Sequence, residues 1–146
     1  MLEGAARSFQ QHGFRDIVFL GDHGGYQKDL EQVAAKLNRE WRGSPARAHA
    51  LLDYYRVTET KYPAELAQRG FSKAEIGTHA GLADTSLALA VDPSLVRNDM
   101  LSRTAPDRDG VHGDPRRASA ALGQPAVREI VETSVAEIRR LVREPR

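Results

Sequence analysis

Three short segments of this chain concentrate the residue types that hold metals and move protons. The first is Gly21-Asp22-His23-Gly24-Gly25. Ligands of open α/β sheets bind outside the carboxyl ends of strands, and glycine lets a backbone approach a ligand or metal closely, so His23 is a candidate site residue. The same residues also suit a polar turn in which Asp22 accepts the free N–H groups of a helix beginning near Gly25. The second segment is Gly77-Thr78-His79-Ala80-Gly81-Leu82-Ala83-Asp84-Thr85-Ser86. A neutral imidazole and a carboxylate facing one pocket can share metal binding or proton transfer, which makes His79 and Asp84 candidate catalytic residues. Here too a plainer reading stands beside the first: Asp84 before Thr85-Ser86 suits a helix N-cap, and His79 suits a core histidine. The third segment, Gly110-Val111-His112-Gly113-Asp114-Pro115, reads as a specific turn. His12 and His49 stand alone and are expected on the surface or in packing.

The elements that must position these residues are legible in outline. Residues 5 to 12 have the character of a helix end, with Gly13 as its cap. The run Asp16-Ile17-Val18-Phe19-Leu20 is short, apolar and β-branched, as in a parallel strand buried on both faces. Leu30, Val33, Ala34, Leu37 and Trp41 follow helical spacing. Residues 46 to 55 contain a second apolar run, centred on Ala50-Leu51-Leu52, which is the expected second parallel strand, joined to the first by a right-handed crossover. A weak helical pattern runs from Tyr62 to Arg69, and Ser72-Lys73-Ala74-Glu75 has the form of a capping box. A short helix is expected over Thr85 to Val91, a long surface loop over 98 to 123, and a final helix on the stripe Val127, Ile130, Val131, Val135, Ile138, Leu141, Val142.

Composition narrows the function classes. The chain has 146 residues, 40% of them hydrophobic, and a net charge of +1 with acidic and basic groups nearly balanced. One compact domain over 1–146 is expected, without the one-signed field of a nucleic-acid binder. Cysteine is absent, so any metal would see only nitrogen and oxygen. No stretch approaches the roughly 18 apolar residues of a membrane span, and a cytoplasmic location is expected.

Taken in order, these segments resemble the creatininase, or creatinine amidohydrolase, family. Leu20-Gly21-Asp22-His23-Gly24-Gly25 is similar to the family's Gly-His-Gly-Gly turn after a buried strand. His79-Ala80-Gly81-Leu82-Ala83-Asp84-Thr85-Ser86 is similar to its His-Ala-Gly segment followed by an acidic residue, threonine and serine. The stretch from Leu87 to Val96, and Gly110 to Pro115 with Ala118, Ser119 and Gly123, extend the likeness from about Ser8 to the last helix. The resemblance implies an α/β fold, with a parallel sheet layered between helices, and a divalent metal (zinc, manganese or iron) at the strand ends. It also implies hydrolysis of the C–N bond of a small cyclic or linear amide by a metal-activated water. By position, His23 is implied as a metal ligand, with Asp22 or Asp84 available beside it. His79 is implied as the group that passes a proton to the leaving nitrogen, and Asp84 as an acid in or just behind the pocket.

The sequence departs from the family pattern in two ways. Gly25 stands where creatininase has a glutamate ligand, and the family's Glu-x-His pair and downstream aspartate have no counterpart. The resemblance is therefore read as to the C-terminal portion only, with N-terminal strands missing. Two functions follow from it: a metal-dependent amidohydrolase, or a catalytically incomplete module that acts through assembly or is completed by another chain. The unpaired edge of the first strand and the oligomers formed by family members both point to a homo-oligomer.

Overall fold

The computed structural model describes residues 1–143. Its contacts fall into two compact units, one made of residues 1–55 with those from Glu132 on, the other of residues 56–131.

The first unit is built on a strand–helix–strand unit preceded by helix α1 (Leu2–Gln11). Strands β1 (Asp16–Phe19) and β2 (Arg47–Ala50) form a two-stranded parallel sheet in which Asp16 faces Arg47 and Phe19 faces Ala50. Helix α2 (Gln27–Glu40) joins them. Its expected stripe is its buried face: Leu30, Ala34, Leu37 and Trp41 pack with Ile17, Phe19 and Ala48 of the strands and with Ala6 of α1. β1 is buried on alternate residues rather than on both faces, since Ile17 and Phe19 are interior while Leu20, beyond its end, is 54% exposed. The outer edge of β2 is closed by a side chain. The Asn38 amide donates to the Ala48 carbonyl and accepts from the Ala48 N–H, both at 2.8 Å, which satisfies backbone groups that an edge strand leaves open.

The second strand ends earlier than its apolar run suggests. Leu51 still donates to the Phe19 carbonyl at 2.9 Å, but Leu52 opens helix α3 (Leu52–Glu59). A short apolar run is compatible with either state, and here tertiary pairing decides it.

The second unit is helical. It holds α4 (Lys61–Gln68), the short α5 (Lys73–Ile76), α6 (Leu82–Val91), the short α7 (Asn98–Leu101) and the first part of α8 (Ala120–Leu141). The capping box forms as read: the Ser72 hydroxyl accepts from the Glu75 N–H at 3.2 Å, and the Glu75 carboxylate accepts from the Ser72 N–H at 3.0 Å. Tyr62, Leu66, Ile76, Leu82, Ala83 and Ala126 make its core. The expected loop over 98–123 is shorter, because α8 begins at Ala120 instead of near Val127. Two features allow this. Pro125 falls in the second turn, where its missing N–H costs a single helical bond. Gly123 lies against α6 so closely that a Cβ there would stand 2.0 Å from the Ser86 carbonyl oxygen. Among the described residues no helix is long and apolar enough to cross a membrane.

Candidate active site

The first unit presents the turn 21–27 at the carboxyl end of β1. His23 is extended, with φ −154° and ψ 132°, and caps the single 3-10 turn Gly24–Tyr26: its Nδ1 accepts from the Gly25 N–H at 2.9 Å. The cap expected from Asp22 is thus supplied by His23. An imidazole whose Nδ1 accepts a hydrogen bond carries its proton, when neutral, on Nε2. A free lone pair on Nε2 would need the proton moved to Nδ1, so ligating a metal through either nitrogen would require the ring to give up its cap. The Asp22 N–H lies 3.0 Å from the Tyr26 hydroxyl, whose ring stacks on His23 with centroids 5.6 Å apart. Gln27 clamps the turn by donating to the carbonyls of Gly21 and His23, each at 2.9 Å, while its own Oε1 is buried without a partner.

Tyr54 and Tyr55, to which the sequence assigns no site role, border this turn. A Cβ on Gly24 would stand 3.1 Å from the Tyr55 hydroxyl. Burial pushes the Tyr54 phenol above its ordinary pKa, helped by the nearby Asp22 carboxylate and Tyr26. Their place in the first turn of α3, which follows β2, brings them there, and no local pattern announces it.

His49 is a packing histidine in position but not a bare one. It is buried, and its Nε2 lies 3.0 Å from Oδ1 of Asp16 on the neighbouring strand.

The second unit carries His79 and Asp84, and it adds His112. Residues 77–81 and 110–114 cross backbone to backbone. The His112 N–H donates to the His79 carbonyl at 2.8 Å, and the His112 carbonyl accepts from Thr78 at 2.7 Å and from His79 at 3.3 Å, which makes an antiparallel bridge between the two histidines. Only glycine permits so close a crossing: a Cβ on Gly77 would meet the His112 carbonyl oxygen at 2.1 Å, and one on Gly113 would meet Gly77 Cα at 2.7 Å. The turn reading of 110–115 was right in kind, but what the turn does is hold a second imidazole beside the first.

His79 is exposed, not a core histidine. Asp84 is the third residue of α6 rather than its N-cap, which is Gly81. From there its Oδ2 accepts from the Ala80 N–H at 2.9 Å and fixes Ala80 at φ 49°, in the left-handed region. Behind this loop Tyr62 is almost wholly buried. Burial pushes its phenol up to about 12, against the lowering effect of a hydrogen bond with Ser86.

A hydrolytic metal normally takes three protein ligands. Among the described residues no three His, Cys, Asp or Glu side chains gather where one ion could hold them, and His23 already spends its Nδ1 on the cap. Among the described residues, the donors Asp22 and His23 therefore do not make up a complete metal centre.

A family model described as creatininase, creatinine amidohydrolase, matches residues 1–139. The likeness is thus not confined to a C-terminal portion, as the motifs alone suggested. No curated protein matches. A solved structure of a tryptophan-to-phenylalanine mutant of creatininase superposes with a TM-score of 0.67 at 22% identity, over 98% of this chain and 63% of that one. The shared feature is the α/β fold, and this chain spans less than two thirds of that protein's length.

Proposed function

This chain belongs to the creatininase family, and from that premise we propose that it is an amidohydrolase, cleaving the C–N bond of a small cyclic or linear amide. The family match over residues 1–139 is the observation that carries the reading. The zinc, manganese or iron of such an enzyme would activate the attacking water. Because the donors gathered here fall short of three, the steps assigned to this chain are those of its own side chains.

His79 is the group proposed to pass a proton to the leaving nitrogen. It is exposed, and among the described residues no hydrogen bond occupies its ring, so the imidazole is available to substrate. Asp84 is a positioning residue in this scheme. By accepting from the Ala80 N–H it holds the bend on which His79 sits, and orientation of a general acid governs its efficiency.

The test is turnover of a panel of small amides, creatinine included, with zinc, manganese or iron supplied. His79→Ala should lower kcat by about 10²–10⁴-fold, and Asp84→Asn should lower it less, with KM little changed in both. Turnover unchanged in His79→Ala would remove the residue from the mechanism.

The shortage of donors among the described residues favours a second reading, a module that is catalytically incomplete alone and acts through assembly or with another chain. It predicts no turnover with any of the three metals. A homo-oligomer and a cytoplasmic location belong to both readings, to be checked by sedimentation and by cell fractionation.

A further inference from the structure

The amidohydrolase reading uses His79 alone, while the backbone bridge sets a second imidazole, His112, beside it. We propose that His79 and His112 chelate one transition-metal ion of the borderline class, copper(II), nickel(II) or zinc(II), with its remaining positions open to water.

The ring centroids of His79 and His112 lie 5.6 Å apart, with planes at 83°. With metal–nitrogen distances of about 2.0–2.1 Å and a ring centre roughly 1.2 Å beyond each nitrogen, two imidazoles on one tetrahedral ion have centroids about 5.2 Å apart. The observed separation of 5.6 Å is close to that value. Both side chains are exposed, and among the described residues no hydrogen bond holds either ring, so each can turn about its side-chain bonds.

The backbone beneath them is preorganised. Three main-chain hydrogen bonds join the two segments, and the packing of Gly77, Gly81 and Gly113 fixes their separation. The Gly113 N–H is also tied to the Asp107 carboxylate at 3.0 Å. Ordering that is already complete in the free protein need not be spent on binding. The two donors set the class of ion: paired imidazole nitrogens favour copper, nickel and zinc over magnesium or calcium, which require oxygen.

The site bears on the proposed chemistry because a lone pair that binds a metal cannot carry a proton. An ion held here would silence His79 as a proton carrier. That consequence rests on the amidohydrolase reading, whereas the binding itself does not.

The experiment is calorimetric titration of the whole, chelator-stripped chain with nickel(II), copper(II) and zinc(II) salts, alongside electron paramagnetic resonance of the copper(II) form. We expect one site of micromolar affinity, with nitrogen hyperfine structure from two imidazoles in the unmodified protein. His79→Ala and His112→Ala should each weaken binding by roughly tenfold or more, while His23→Ala and His12→Ala leave it unchanged. Since the bridge uses main-chain atoms only, both site variants should keep the wild-type circular dichroism. Even if one of them misfolds, the count of imidazole nitrogens on the unmodified chain decides the question. Binding no tighter than millimolar, a single imidazole nitrogen, or loss of binding in His23→Ala would each overturn the proposal. Amidase turnover plays no part in this readout, so its absence leaves the result intact.

Discussion

At the scale of single residues, placement decides chemistry more than residue type does. His23, His49, His79 and His112 are all imidazoles, yet one caps a 3-10 turn, one is buried against Asp16, and two stand exposed side by side. Tyr62 shows how burial alone changes a group. Its hydroxyl reaches the Ala83 carbonyl at 3.4 Å in the core of the second unit, and its pKa is pushed up to about 12. A phenol whose folded-state pKa is raised supports the fold fully below its unfolded value of about 10. That support is lost as pH climbs through the folded value. Alkaline denaturation should therefore show a fall in stability between pH 10 and 12 that is absent in Tyr62→Phe. At neutral pH the variant should be less stable by about 1–2 kcal/mol, from the loss of the hydroxyl's hydrogen bonds with the Ala83 carbonyl and Ser86, as read by denaturant melts. An equal alkaline fall in Tyr62→Phe would assign the effect to another group.

At the scale of elements, glycines set how closely helices and loops meet. Gly123 of α8 lies on the Ser86 carbonyl of α6, while the Ser86 hydroxyl accepts from the Ser119 N–H at 3.2 Å, just before α8. Gly123→Ala places a methyl 2.0 Å from that oxygen. The two helices must then part, at a cost of about 1–3 kcal/mol for overpacking, seen as a lower Tm. A Gly123→Ala protein as stable as wild type would show that this contact is loose. Gly77→Ala has a further local effect. Its φ of +71° and the 2.1 Å approach to the His112 carbonyl both oppose a side chain, so this variant should separate the two histidines and lose the metal affinity proposed for them, even if its helices persist. Asn38 plays the corresponding part in the first unit. An alanine there would leave the Ala48 N–H and carbonyl without the partners they now have.

At the scale of the whole molecule, the sheet is the element that invites company. β1 and β2 pair only with each other among the described residues, and Asn38 covers the outer side of β2 alone. Phe14 and Leu20, on either side of β1, are each 54% exposed. An open strand edge beside exposed apolar groups favours association. Sedimentation velocity at micromolar concentration should therefore show oligomers, and Leu20→Lys should shift the distribution toward monomer. A monodisperse monomer in the unmodified protein would refute this.

By itself the sequence determined what depends on neighbours along the chain. The stripe of α2, the glycine turn after β1 and the Ser72–Glu75 capping box all follow from period and spacing, and each stands where the pattern put it. The histidine turn, the loop of His79 and the acid at Asp84 were likewise visible as chemistry-bearing residues. Only the tertiary structure decided which imidazoles meet. It paired His79 with His112, gave the cap at Gly25 to His23 instead of Asp22, and set Tyr55 beside Gly24. It also turned Leu52 from strand to helix and began α8 at Ala120. These outcomes rest on close approach between segments distant in the chain, where sterics and hydrogen bonding are settled by the partner, and a residue's own neighbours carry no trace of that partner.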